Sequence, residues 1–91
     1  MIGEEMPMFD YYFTFSSITF AQRAQQALVR ERISGMLGRA PKNMSSKGCG
    51  YAIKLRAADG KRAAAAFLKW NTPYHAVYRV DAGGKTEATA L

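Results

Sequence analysis

At 91 residues the chain is the size of one domain, and its 48% hydrophobic content, with five Phe, five Tyr and one Trp, is enough for a core that needs no metal or disulfide. A single cysteine excludes an internal bridge and fits a reducing compartment. The formal charge of +6 invites an anionic partner, while an acidic first segment and the lack of any apolar run near the roughly 18 residues of a bilayer span point to a cytoplasmic protein without a membrane partner.

Residues 1–7 show no period and end in Pro7, which predicts a disordered leader. In residues 8–15, Phe9, Tyr11, Phe13 and Phe15 alternate with Asp10, Tyr12 and Thr14, the period of a strand that turns its phenylalanines to the core. Ser16, Ser17 and Thr19 supply hydroxyls for an N-cap, Thr19 with Gln22 at capping-box spacing, and a helix follows over 19–33, with Phe20, Ala24, Ala27 and Leu28 on its buried face and Ser34 and Gly35 closing it. A second, weak strand over 36–40 contains Gly38 and stops at Pro41. Alternation returns in 51–56, where Tyr51, Ile53 and Leu55 oppose Ala52, Lys54 and Arg56. Asp59 is placed to cap a second helix that runs through alanines 63–66 to about residue 71, with Pro73 beyond its end. A fourth strand covers 74–80, and residues 81–91, with Gly83 and Gly84, read as a flexible tail.

This βαββαβ order predicts an α+β domain over residues 8–80 of the ferredoxin-like kind, a four-stranded antiparallel sheet with two helices on one face. An exposed edge of such a sheet is open to homodimer pairing. The fold hosts many activities, so function has to be sought in side chains.

Most catalytic and cofactor chemistry is missing. There is no glycine-rich dinucleotide loop, no Walker loop and no paired cysteines, and one His with one Cys cannot build a four-ligand zinc site, so neither cofactor nor metal is expected. His75 falls on a strand and reads as a surface residue, and the few carboxylates are scattered. The remaining chemistry is at Cys49, between Gly48 and Gly50, which leave a bare backbone around the sulfur. Lys47 favours the thiolate, and Ser45 and Ser46 can hydrogen-bond an anionic sulfur. Arg39, Lys42, Lys47, Lys54 and Arg56 occupy a stretch free of acidic side chains. A lone cysteine is also a common buried hydrophobe, and the residues by themselves leave both readings open.

The run of residues 12–17 (Tyr, Phe, Thr, Phe, Ser, Ser), then Ala40, Pro41 and Lys42, then Ser45 and Ser46 ahead of Cys49, Gly50 and an alternating strand, and finally Val77, Tyr78, Arg79 and Val80, resembles the family of small Se/S carrier protein-like sequences. The resemblance spans roughly residues 9–80. It implies a non-enzymatic carrier that holds a persulfide or selenide equivalent on Cys49 and passes it between sulfur or selenium donor and acceptor proteins. The alternative carried by charge alone is a small basic binding module for nucleic acid or an acidic protein. Against nucleic acid, the period-two aromatics of the first strand read as core and leave Tyr12 as a thin stacking platform.

Overall fold

The computed structural model describes residues 9–44 and 50–91. The expected leader and Ser45, Ser46, Lys47, Gly48 and Cys49 lie outside the described residues. The elements in chain order are β1 (Phe9–Phe15), α1 (Ile18–Arg30), β2 (Met36–Arg39), β3 (Tyr51–Arg56), α2 (Gly60–Lys69), β4 (Ala76–Asp81) and β5 (Thr86–Thr89). They form one antiparallel sheet in the order β2-β3-β1-β4-β5.

β1 is central because its alternation satisfies two neighbours at once. Phe13 stands opposite Ile53 on β3 and Val77 on β4, so these three side chains share one face, and all are buried. Both helices cover that face: Ala21, Ala24 and Leu28 of α1 and Ala63, Ala66 and Phe67 of α2 join the same hydrophobic cluster. Alanines along the two facing stripes allow the helices to approach closely.

The sheet has five strands, not the four expected. The fifth comes from the stretch read as a tail, where Gly83 and Gly84 are part of a hairpin turn. Asp81 Oδ1 accepts hydrogen bonds from the N–H groups of Gly83 (3.0 Å) and Lys85 (2.9 Å), and Gly84 takes φ 87°, a conformation that favours glycine. The residues of β5, Thr-Glu-Ala-Thr, have no apolar alternation that could announce a strand, since β5 is exposed along nearly its whole length.

The helix starts and stops also differ from expectation. Of the three expected capping hydroxyls, Ser17 is the one that caps α1: its Oγ accepts from the Phe20 N–H at 3.2 Å. The buried stripe of α1 is then Ala21, Ala24, Ala27 and Leu28, and Phe20 is left 39% exposed. α1 ends at Arg30 rather than at Gly35. Arg32 takes φ 58°, and the following residue, Ile33, donates its N–H to Leu28 O at 2.9 Å and is buried. Burying Ile33 offsets the roughly 1–2 kcal/mol that a left-handed non-glycine costs. α2 closes the same way, with Asn71 at φ 54° and Thr72 N–H bonded to Phe67 O. Gly35 serves space instead, since a Cβ there would come within 2.7 Å of Leu28 and 2.8 Å of Ile53. Asp59 precedes α2 but makes no side-chain cap; it pairs with Arg62 at 3.2 Å and Arg56 at 4.0 Å. Among the described residues, no helix is long and apolar enough to cross a membrane.

Candidate functional site

The register of β2 against β3 runs from Met36 opposite Lys54 to Arg39 opposite Tyr51, and the Ala40 N–H donates to Gly50 O at 3.0 Å to extend it by one step. Pro41 then ends the pairing because it has no N–H to offer. The connection that follows begins with a 3-10 turn, Lys42–Met44, closed by the Met44 N–H on Pro41 O.

This turn does not stay at the sheet end. Asn43 Nδ2 donates to Thr86 Oγ1 at 2.9 Å, linking it to β5 at the opposite edge. Thr86 faces Val80, which faces Asp10, and these alternate with the helix-covered positions, so the turn reaches across the face opposite the helices. Met44, at the end of this turn, is 2% exposed. Thr14 and Ala52, paired with each other on the same face, are buried as well. Thr14 also donates its hydroxyl to Ala76 O.

Of the residues that the sequence points to, Gly50 lies at the mouth of β3. It is outside the left-handed region, and a Cβ added to it would meet none of the described residues within 4 Å. Lys42 is exposed, and Lys54 is 3.8 Å from Asp10 in a partly exposed pair that contributes little to stability. His75 is exposed, and its backbone N–H donates to Thr14 O at 2.8 Å, a strand-end role. Among the described residues, no three His, Cys, Asp or Glu side chains gather where they could hold a metal ion.

One cluster has no signal in the spacing of the sequence, because it joins the ends of two helices. Glu31 accepts hydrogen bonds from Trp70 Nε1 and Lys69 Nζ, both at 3.0 Å. The bond from Trp70 first, and then that from Lys69, holds the Glu31 carboxyl below its ordinary value of 4.5. A carboxylate lowered in this way stabilises the fold above its unfolded value, and the contribution is lost as pH falls through the folded value. Glu31→Gln is therefore expected to lower stability at neutral pH, with the gap to the wild type closing below pH 4.5. Urea unfolding followed by the emission of Trp70, the one tryptophan, checks this; a gap unchanged into acid rules out the carboxylate charge as its source.

Comparison with curated proteins and with solved structures found no match. The model of the family described as Putative Se/S carrier protein-like matches residues 10–79, from the second residue of β1 into β4 and through the whole β2–β3 connection with Cys49, and the chain belongs to that family.

Proposed function

We propose that the protein is a sulfur or selenium carrier whose thiol is Cys49. The observation that carries this reading is the family match over residues 10–79, which takes in the only cysteine of the chain, one residue ahead of Gly50 and its bond with Ala40. The Cys49 thiolate attacks the terminal sulfur of a persulfide on a donor enzyme. A new S–S bond forms at Cys49, the S–S bond of the donor breaks, and the donor cysteine leaves as a thiolate, with no net oxidation. An acceptor nucleophile then takes the terminal atom and returns Cys49 to the thiolate. Selenium follows the same exchange, with the terminal selenium of a selenopersulfide on the donor cysteine transferred in place of sulfur and the donor leaving as a thiolate.

In this reading Gly48 and Gly50 give access to the thiol, while Lys47 favours its ionised form and Ser45 and Ser46 hydrogen-bond the anionic group. The protein is a carrier and not an enzyme, acts in the cytoplasm, and has donor and acceptor proteins as its partners. A homodimer through β2 or β5, the two sheet edges, is compatible with it and not required by it.

The test is to incubate the reduced protein with a cysteine desulfurase and cysteine, or selenocysteine for the selenium arm, and to take intact masses without reductant. The wild type is expected to gain one chalcogen atom and Cys49→Ser none. Equal gain by the serine variant, or no gain by the wild type, defeats transfer from that donor.

A further inference from the structure

Positive charge is unevenly matched. Among the described residues, Lys54, Arg56, Arg62, Lys69, Arg79 and Lys85 each have a carboxylate within 4.0 Å. α1 contains no acidic side chain, and its Arg23 and Arg30, two turns apart, lie on one face with Gln26 between them.

These three side chains, with Ala27, Trp70 and Thr72, line a cavity of about 180 Å³ with no carboxylate among its described lining residues. Its parts are held in place. The Arg30 guanidinium carbon stands 4.6 Å from the centre of the Trp70 ring, and the indole is fixed by its N–H bond to Glu31. A stacked guanidinium keeps the N–H groups around its edge free to donate, so a planar fork is presented without the full cost of ordering it. The Thr72 hydroxyl is occupied by Phe67 O, which leaves Arg23, Gln26 and Arg30 as the donors.

We propose that this cavity takes a carboxylate side chain from an acidic segment of a partner protein. Two guanidinium groups and an amide on one helix face match a planar anion in charge and in donor chemistry. A nucleic acid fits worse. Arg30 stands over the Trp70 ring, the Lys69 Nζ is 5.5 Å from the ring centre and Glu31 takes the indole N–H, so little of the ring is left for a base to stack on. The inference goes beyond the carrier reading and does not use Cys49, so either can fail without the other.

The probe is an N-acetylated, C-amidated oligoglutamate peptide titrated into the full chain at low ionic strength, with binding read by Trp70 emission and by calorimetry. The wild type is expected to bind. Arg23→Gln, which removes a side chain with no bonded partner among the described residues, and the pair Arg23→Gln with Arg30→Gln are expected to weaken binding roughly tenfold or more, the scale of a lost charged hydrogen bond. The charge-matched pair Arg32→Gln with Lys61→Gln, outside the cavity, should stay near the wild type, and thermal melts verify that each variant is folded. Equal loss in both pairs reduces the effect to net charge and overturns the proposal. So does the absence of binding, or tighter binding of a single-stranded oligonucleotide that the same arginine changes weaken.

Discussion

Phe67→Ala is expected to cost about 3–5 kcal/mol, the range for removing a fully buried phenylalanine. Phe67 is 1% exposed, and its ring stands edge-on to Phe13 at 5.0 Å and Phe15 at 5.7 Å and near Tyr74 at 5.9 Å. It is the side chain of α2 that reaches the central strand, so its loss opens a cavity where helix and sheet meet. Against a total stability of about 5–15 kcal/mol for a domain, the variant keeps little reserve. A melting temperature lower by at least about 12 °C follows from the usual slope for a chain of this size. Leu68→Ala is the control. That neighbour is 84% exposed, and its change should stay within about 0.5 kcal/mol. Equal costs for the two would mean that α2 does not pack through Phe67.

Two glycines are expected to answer alanine in opposite ways. Gly60 opens α2 directly under the ring of Tyr11, and a Cβ there would overlap two atoms of that ring. Tyr11 packs on the core cluster and edge-on to Phe9, so it cannot withdraw without disturbing the start of β1. Gly60→Ala should cost about 1–3 kcal/mol, as overpacking does, despite the better helix propensity of alanine. Gly50→Ala meets no described residue and keeps a backbone that alanine can adopt, so its stability should hold or rise by up to about 1 kcal/mol through the unfolded chain. Chemical denaturation of both variants decides the contrast. If Gly50 serves access to the thiol, its variant is stable and slow in sulfur uptake; unchanged uptake removes Gly50 from that role.

The difference between these glycines is invisible in the sequence, where each is simply a glycine near a strand end. The same holds for Gly35, which was read as a helix stop and is instead a point of close approach to Leu28 and Ile53. Phe20 shows the reverse error. Its spacing from Ala24, Ala27 and Leu28 puts it on the buried face of α1, but the buried stripe takes in Ala21 as well and is centred between Ala24 and Leu28, which leaves Phe20 at the margin. For the candidate site, the sequence singled out a cysteine between glycines and its family. The Asn43–Thr86 bond, which ties the connection holding that cysteine to β5, joins residues 43 positions apart and has no local signature.

Hydrophobic periodicity was enough to determine β1, β3 and α1, because burial on one face imposes a period of two or 3.6 on the side chains themselves, and the helix propensity of alanines 63–66 marked α2. Tertiary structure decided what periodicity does not encode. β5 pairs through its backbone and needs no apolar side chain. The Lys42–Met44 turn lies across the second sheet face because Asn43 finds a partner there. Arg23, Arg30 and Trp70 form one cavity because α1 and the end of α2 meet in space.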